Sequence, residues 1–439
     1  MLAIVVAVLS GVLLTVFVWP RLREYWRNPN GLSLPPGPRP HLLLGNLLDL
    51  PTGGSEWLAF ERMSKKYGSD LLHFHVPGSH ILTINSYKAA NDLLDKKSSI
   101  YSDRPRLPWA KGLMGWSWSL VIMSYDEGFA AHRRLVQHSF QPNIVTSQHR
   151  PVMQREVPRL LRNLLVTPDD FIRHLRSMTG AIIMMVTYGY QVLPKDDPYL
   201  ILAEDVNKSM ETETPGAHIV DFFPFLRYAP SWMFKFKRDA VVGRRLTKEM
   251  RNAPFQMVKE RLAAGTALPS MVGSLVEKEV VDGVTSNEDL IKNCGAVVYS
   301  AGADTSTVTL TNFVLAMIMH PVVQERAQRE LDEVVGRDRL PNFNDRSQLP
   351  YLACIVKEAL RWKAVSPLGI PHYTAADDVY QGMFIPKGTT VFANQAAMLH
   401  DPSVYKDPDV FDPDRFAHGV DRSEGILDPA RITFGFGRR

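Results

Sequence analysis

The longest helical pattern in this 439-residue chain covers residues 286–320. Ser286 can cap its start, Glu288 and Asp289 suit its first turn, and Pro321 follows its end. At 1.5 Å per residue such a helix is about 50 Å long. We therefore predict one long helix that crosses the whole domain.

The centre of this helix, residues 301–306, reads AGADTS and is unusual for a helix interior. Gly, Asp, Thr and Ser all disfavour the helix, and a buried acid is costly. Hydroxyl side chains there can bond back to preceding carbonyls and bend the helix. A weak, solvent-facing turn would explain the composition, but the apolar flanks at residues 296–298 and 313–315 make that explanation less favoured.

The rest of the body predicts mostly helices with short strand pairs. Helical or strand spacing occurs at residues 57–67 and 171–188 (helix), 71–76 and 80–85 (a hairpin), and 379–391 (strands and turns). Residues 104–125 contain three Trp and predict an irregular loop. The predicted fold class is mainly α with a smaller β region.

Composition narrows the class of protein. A hydrophobic content of 45% and a charged content of 22% are ordinary for a globular chain with a large core. The net charge of +4 is too small to argue for a nucleic-acid partner. Cys294 and Cys354 stand in no zinc or disulfide spacing, and this usage fits a reducing compartment.

The N-terminus predicts a membrane helix. Residues 2–19 are almost wholly apolar, and about 20 such residues span a bilayer core. Arg21, Arg23 and Arg27 follow at once, which favours a cytoplasmic location for the downstream chain. A cleaved signal peptide is the alternative, but no basic region precedes the apolar run and no small-x-small site ends it.

A stiff connector comes next. Residues 34–40 read LPPGPRP, and proline holds both itself and the preceding residue out of the helix. The predicted organisation is a transmembrane signal anchor over residues 1–20, a basic and proline-rich hinge over residues 21–40, and one domain over residues 41–439.

Three motifs occur in the C-terminal part of the chain, and each is weak alone. They are the pair Glu358 and Arg361, Arg415 within FDPDRF, and the spacing Phe434-x-x-Gly437-x-Arg439. A Glu-x-x-Arg pair on one helix face predicts no more than a surface ion pair.

Taken in order with the N-terminus and the AGADTS helix, these motifs resemble those of cytochrome P-450 monooxygenases, especially microsomal and fungal members. The resemblance implies the cytochrome P-450 fold and haem b as cofactor. In that family the last motif continues to the cysteine that ligates the iron, which would lie two positions beyond Arg439. No metal ligand is therefore predicted within the chain, which is expected to be truncated at its C-terminus.

The resemblance also implies residue roles around the haem. Gly302 would leave room for dioxygen, Thr305 would donate a hydrogen bond to its distal oxygen, and Asp304 would help to relay protons from water. Splitting the O–O bond consumes two protons, so an acid and an alcohol beside the iron suit the chemistry.

Four further residues are implied to bind the cofactor: Arg133, His372, Phe434 and Arg439. The family's Trp and its neighbouring Arg are replaced here by Phe and Ala at residues 129–130. Phe has no N–H to donate, whereas Arg133 could still bind a propionate through its guanidinium. From charge alone, a solvated basic face is an equally good explanation of Arg133.

Glu358, Arg361 and Arg415 are implied to form a buried structural network near the haem. Removing one partner of a buried ion pair costs about 3–5 kcal/mol. Substitution of Glu358 is therefore expected to abolish folding.

The implied reaction inserts one oxygen atom from dioxygen into a lipophilic small molecule of the secondary-metabolism or xenobiotic type. Reducing equivalents would come from NADPH through a membrane-bound flavoprotein reductase on the basic proximal face. The aromatic residues 221–232, followed by Lys235, Lys237 and Arg238, are expected to contact the lipid bilayer. The predicted location is the endoplasmic reticulum membrane, single-pass, with a cytoplasmic catalytic domain.

A function of another class stays open, namely a haem-free, non-catalytic fragment or binding protein. A thiolate ligand pushes electron density toward O–O cleavage. Neither Cys294 nor Cys354 is placed to supply that thiolate, because each lies on a predicted helix away from the ligand loop.

Overall fold

The structure is a computed structural model that describes residues 26–210, 218–281, 284–285, 287–419 and 426–439. The predicted anchor, the first part of the hinge and the predicted cap Ser286 lie outside the described residues. Within them, no single helix has the length and apolar character to cross a bilayer. One pair bent by 105°, Glu288–Met319 with Pro321–Val334, meets that test only when the two are taken together.

Helices make up most of the described chain. The longer ones are α1 (Glu56–Tyr67), α2 (Glu127–Ser139), α3 (Arg150–Val166), α4 (Phe171–Tyr188), α5 (Pro198–Met210), α6 (Lys235–Ala263), α7 (Met271–Glu279), α8 (Glu288–Met319), α9 (Pro321–Val334) and α10 (Pro350–Trp362). Shorter helical turns are Tyr87–Ala90, Asn91–Lys96, Ser98–Tyr101, Pro108–Leu113, Pro142–Ile144, Val145–His149, Pro168–Asp170, Ile219–Phe222, Pro224–Tyr228, Arg346–Gln348, Gln395–Leu399, Pro413–Phe416 and Ala430–Thr433.

Residues 104–125 are irregular as predicted except at Pro108–Leu113, which forms a helical turn. Pro108 occupies the first position of this turn, where its fixed φ suits a helix and its missing N–H is no loss. The next N–H, on Trp109, is capped by the Asp221 carboxylate at 3.0 Å. A distant acid thus supplies the cap that the local sequence lacks.

Helix α8 crosses the domain as the longest described element, with 32 residues. It starts at Glu288, after Asn287 in the left-handed region (φ 56°), and it ends before His320 and Pro321. The largest apolar cluster joins it to α4, α5 and α6 through the buried side chains of Met184, Val206, Phe255 and Tyr299. The prediction of one long central helix is therefore confirmed.

The strands are short. They are β1 (Leu71–Val76), β2 (Ser79–Ile84), β3 (Val280–Val281), β4 (Val284–Thr285), β5 (His372–Tyr373), β6 (Asp378–Tyr380), β7 (Met383–Ile385) and β8 (Thr389–Ala393). One sheet has the order β1-β2-β8-β5, with β2 and β8 parallel and the other pairs antiparallel. The fold class, mainly α with a smaller β region, is confirmed, and β5 brings His372 beside Val391.

The proline-rich connector packs against β1. The carbonyl of Pro36 accepts a hydrogen bond from the His73 N–H at 2.8 Å, and the N–H of His75 donates to the side chain of Asn46 at 2.9 Å. At Gly37 the approach is so close that an added Cβ would lie 2.0 Å from the His73 carbonyl oxygen. Only glycine permits the connector to pair with the sheet here.

We predict that Gly37→Ala lowers the free energy of unfolding by about 1–3 kcal/mol, because the backbone oxygen of His73 cannot move away from the new methyl group. Denaturant unfolding would measure the loss. Gly112→Ala is the matched control, since a Cβ there meets no atom within 4 Å. Equal stability losses in the two variants would contradict the prediction.

Candidate active site

A cavity of about 370 Å³ lies between the last residues of the chain, β5 and the start of α2. Its lining contains Arg104, Leu120, Val121, Phe129, Arg133, Ser366, Gly369, Ile370, His372, Ala393, Gln395, Thr433, Phe434, Gly435, Phe436 and Arg439. The structure thus brings together all four residues predicted to bind the cofactor, Arg133, His372, Phe434 and Arg439.

Arg439 is held by backbone carbonyls of the loop before α2. Its Nε donates to Ser102 at 2.7 Å, Nη1 to Leu120 at 3.3 Å and Nη2 to Met123 at 2.6 Å. The guanidinium also lies 4.1 Å from the centre of the Phe129 ring. Phe129, which stands where the family has Trp, therefore supports Arg439 by a cation–π contact.

Arg104 is a site residue that the sequence reasoning missed. Its Nε donates to the carbonyl of Val121 at 3.0 Å, and Nη1 donates to those of Ile370 and Pro371, both at 2.8 Å. The only feature of the sequence that could indicate its role is the position of an arginine within the Trp-rich residues 104–125. Its partners are far away in the chain, so no local pattern reveals that this arginine is buried.

Arg104 is buried and Arg439 is half-buried, and neither guanidinium group forms an ion pair with a carboxylate among the described residues. Each has five N–H groups and uses three on carbonyls, which leaves two per residue. Burial lowers the pKa of Arg104 to about 9, with repulsion from Arg439 adding to the effect. Burial likewise lowers the pKa of Arg439 to about 10. The site is therefore suited to a ligand that carries carboxylates.

His372 is the third polar group in the wall, and it is neutral in the described structure. Its Nδ1 lies 2.8 Å from the Tyr101 carbonyl, so this nitrogen carries the proton and donates. Burial lowers its pKa to about 3, and repulsion from Arg104 adds to the shift. A carboxylate beside Nε2 would oppose this shift and favour a second proton on the ring.

Arg133 and Phe434 complete the predicted set. Arg133 is exposed on the wall and makes no hydrogen bond or ion pair to other described residues. Phe434 is 73% exposed although it is a large aromatic residue. Together they offer a free cation and a bare apolar face to whatever fills the cavity.

The final turn is fixed to the N-terminal half of the domain. The N–H of Gly437 donates to the Asp95 carboxylate, and Arg438 Nε donates to Ser98 Oγ at 3.1 Å. Gly437 has φ 74°, and an added Cβ would lie 2.4 Å from the Leu94 carbonyl oxygen. The turn that presents Phe434 and the arginines is thereby held against Asn91–Lys96.

The AGADTS motif on α8 does not line this cavity. Thr305 is exposed and its Oγ1 donates to the Ala301 carbonyl at 2.9 Å. Asp304 accepts a hydrogen bond from the Asn207 amide of α5. At Gly302 an added Cβ would lie 2.7 Å from Ile183 Cδ1 of α4. Helix packing thus explains Gly302 directly, and its role beside dioxygen stays a prediction.

Glu358, Arg361 and Arg415 meet in one buried network. Arg361 binds the Glu358 carboxylate with both Nε and Nη2 at 2.8 Å, and Arg415 Nε reaches the same carboxylate at 3.2 Å. The backbone N–H of Asp412 donates to it at 2.8 Å. The side chains of Glu358 and Arg361 have no exposed surface. This is the arrangement that the resemblance implied.

Neither thiol lines the cavity. The Cys294 Sγ–H donates to the His132 carbonyl at 3.7 Å, and burial raises its pKa to about 12. Burial also raises the pKa of Cys354. Among the described ranges no three His, Cys, Asp or Glu side chains are grouped to hold a metal ion. The residues present therefore fit the apolar plane and carboxylate edge of a haem, while an axial thiolate is not among them.

Comparison with known proteins agrees with this geometry. The cytochrome P-450 family profile matches residues 35–439. A cytochrome P-450 monooxygenase of Armillaria gallica is 39% identical over 97% of this chain and 85% of its own length. The cytochrome P-450 monooxygenase COX1 of Coprinopsis cinerea is 39% identical over 99% of this chain and 85% of its own length. The cytochrome P-450 monooxygenase claR of Ampulloclitocybe clavipes is 39% identical over 93% of this chain and 75% of its own length. The chain belongs to the cytochrome P-450 family of monooxygenases, oxidoreductases that incorporate oxygen.

Replacement of Glu358 by Ala should cost about 3–5 kcal/mol, because two buried guanidinium groups lose their counter-ion. We expect the variant to be recovered mostly as insoluble protein, as measured by soluble yield and unfolding. Glu333→Ala, at an exposed glutamate, is the control. A soluble Glu358→Ala protein with normal stability would refute the network's role.

Acid should destabilise the fold through His372. The unfolded imidazole binds a proton near pH 6.5 and the folded one only at a pKa of about 3. Between these values the unfolded state binds more protons than the folded state. The free energy of unfolding is therefore not reduced by His372 above pH 6.5, and it falls as the pH decreases from 6.5 toward 3.

His372→Gln should therefore reduce the pH dependence of the free energy of unfolding by up to about 1.4 kcal/mol per pH unit in that window. Denaturant titrations at several pH values measure the slope. His138→Gln removes an exposed imidazole as the control. The same change of slope in both variants would show that burial of His372 is not its cause.

Proposed function

We propose that the chain is a haem-dependent monooxygenase that inserts one oxygen atom from dioxygen into a lipophilic small molecule, of the secondary-metabolism type or a xenobiotic. NADPH would supply the electrons through a flavoprotein reductase. The observation that carries the proposal is the pair of guanidinium groups of Arg104, which is buried, and Arg439, which is half-buried. Both line one cavity, and neither forms an ion pair with a carboxylate among the described residues. Family membership gives the reaction class.

Haem b, when bound, supplies the activation of dioxygen. The two free N–H groups of Arg104 and of Arg439 would hold its carboxylates, with Arg133 and a protonated His372 as further donors. Phe434 would cover one face of the macrocycle, so that its exposed ring is removed from water. The backbone carbonyls that accept hydrogen bonds from Arg104 and Arg439 fix the orientation of both side chains before any ligand arrives.

Proton supply is assigned to α8. The Thr305 hydroxyl lies on an exposed face and can exchange its bond to the Ala301 carbonyl for one to a ligand. Asp304 can hold a proton at its carboxylate, and Asn207 keeps that carboxylate oriented from α5. An acid next to an alcohol is a suitable pair for passing protons inward from water.

We further propose the endoplasmic reticulum membrane as the location, with residues 1–20 as a single-pass anchor and the domain over residues 41–439 on the cytoplasmic side. A second contact with lipid is supported by exposed aromatic side chains. Phe225, Tyr228 and Trp232 are 66%, 75% and 73% exposed. The basic start of α6 follows them, and apolar side chains beside Lys and Arg suit a membrane surface.

A haem-free binding protein is the second candidate. It is favoured by one observation, namely that both thiols of the described chain are buried in helices away from the cavity. Such a protein could still bind lipophilic molecules in the same fold. It could not cleave dioxygen, because without haem it would hold no iron to activate dioxygen.

The reduced, carbon monoxide-bound difference spectrum tests the two candidates. A thiolate-type Soret band from the purified, haem-supplied protein supports the monooxygenase. Protein that is folded by circular dichroism but gives no such band would overturn it in favour of the binding protein. Arg104→Leu combined with Arg439→Leu should lower haem retention, whereas the exposed Arg245→Leu should not.

If residues 221–232 contact the membrane, the double substitution Phe225→Ser with Trp232→Ser should weaken vesicle binding of a chain without residues 1–20. Its partitioning to vesicles should fall severalfold, because two exposed apolar side chains are lost. Phe222 is unsuitable for this test, since it is half-buried and packs against a core cluster around β1 and β2. Unchanged sedimentation with vesicles would contradict the contact.

A further inference from the structure

One buried asparagine of α8 joins this helix to two others. Asn293 is 8% exposed, and asparagine disfavours a helix interior because its side chain competes for backbone hydrogen bonds. A buried amide is stable only when its polar atoms have partners. Here the partners are His132 of α2 and Arg251 of α6. The amide therefore links three helices that are far apart in the sequence.

Chemistry fixes the direction of every hydrogen bond in this network. Arg251 Nε can only donate, so the atom that it meets at 2.7 Å is Asn293 Oδ1. The Asn293 amide nitrogen then donates to His132 Nε2 at 3.1 Å, which leaves the ring proton on Nδ1. Nδ1 lies 2.7 Å from the Gly128 carbonyl, which is an acceptor. A ring with a proton on Nε2 could not accept from Asn293.

The groups around this network leave the imidazole with neutral partners. Arg251 also donates to the Asp289 carboxylate, whose side chain is 81% exposed. The Cys294 thiol donates to the His132 carbonyl at 3.7 Å, and α4 and α7 add apolar side chains around that thiol. Other charged side chains near the network are paired with one another or exposed, namely Lys259, Glu288, Lys292, Arg133 and Arg134. The ring itself contacts one amide and one carbonyl.

The network ends beside two residues of the cofactor cavity. Gly128 precedes Phe129, and Arg133 follows His132, and Phe129 and Arg133 both line the cavity. Phe129 supports Arg439 by its cation–π contact. The anchoring of His132 to α8 fixes the rotation of α2 about its own axis. That rotation sets the direction of both side chains in the cavity wall.

We propose that Asn293 and His132 are positioning residues for the carboxylate edge of the cofactor. They hold α2 in the rotation that presents Arg133 to a carboxylate and Phe129 to Arg439. Neither Asn293 nor His132 lines the cavity, so both act through α2. The inference rests on the proposed function in so far as the ligand is haem, whereas the hydrogen bonds themselves form without a cofactor.

The test is a fluorescence titration of the full chain in discs of neutral phosphatidylcholine, with empty discs subtracted. The probes are iron-free protoporphyrin IX and its dimethyl ester, which lacks the carboxylates. Wild-type protein should bind protoporphyrin more tightly than the ester. Asn293→Leu removes both hydrogen bonds of the amide and should weaken protoporphyrin binding about two- to tenfold, while ester binding stays unchanged. A general loss of packing would weaken both probes equally.

Asn344→Leu, at an exposed asparagine, is the matched control and should change neither affinity. Wild-type protein that binds neither porphyrin, or binds both equally, would overturn the proposal. Equal losses for the two probes in Asn293→Leu, or the same effect in Asn344→Leu, would overturn it as well.

Asn293→Asp should give the network a pH dependence. A carboxylate there can accept from Arg251 but has no proton for His132, so the ring must carry a second proton and donate. The new carboxylate favours that proton. Protoporphyrin affinity should therefore equal that of the wild type at about pH 6 and fall severalfold below it toward about pH 9, each compared at the same pH.

Adding His132→Gln to Asn293→Asp should remove this pH dependence, because the glutamine amide can donate to the new carboxylate at any pH. A flat profile in Asn293→Asp, or the same slope in the double variant, would contradict the network. The probes need neither iron nor thiolate. A failed carbon monoxide spectrum with intact carboxylate-dependent binding would therefore reject the monooxygenase and keep the positioning role.

Discussion

The carboxylate of Glu358 is the interaction on which the C-terminal half of the domain depends. It is fully buried and faces two guanidinium groups and the N–H of Asp412. A buried charge is stable only when its lone pairs meet donors in this way. Because Arg361 also reaches the carbonyls of Leu399 and Val410, one side chain fixes the path from the end of α10 to Pro413–Phe416.

The cavity has the opposite arrangement of charge. Arg104 is buried and Arg439 is half-buried, but their partners are carbonyls, which satisfy N–H groups without neutralising a cation. The pKa values of both groups are lowered because burial makes the charged form of each guanidinium less favourable. A ligand with carboxylates would relieve it, and its binding free energy would then add to the stability of the fold. The Glu358 network stabilises the protein by itself, whereas Arg104 and Arg439 would gain a counter-ion only from a ligand with carboxylates.

The parts of the fold that follow from local spacing could be predicted from the sequence. The 3.6-residue period and Pro321 place α8, strand alternation places the β1–β2 hairpin, and Glu358 with Arg361 is an i,i+3 pair. Arg104 could not be predicted, because the carbonyls that bury it come from residues 121 and 370–371.

Tertiary contacts also account for residues at two other places where local sequence gives no explanation. At Gly302, Ile183 from α4 lies where an added Cβ would stand, so the packing of the two helices requires a glycine. The turn Pro108–Leu113 forms where composition indicated a loop, because Asp221 approaches from another part of the chain. The cap and the neighbour in these two cases are both products of the fold.

The contact of Gly437 with Asp95 joins residues 342 positions apart in the chain. Contacts of such separation form late, because closing a long loop costs entropy before the contact returns any stabilisation. On the ribosome, Asn91–Lys96 emerges long before the turn that docks on it. The cavity beside Arg439 therefore acquires the wall formed by residues 433–439 only after those residues have been synthesised and have docked on Asn91–Lys96.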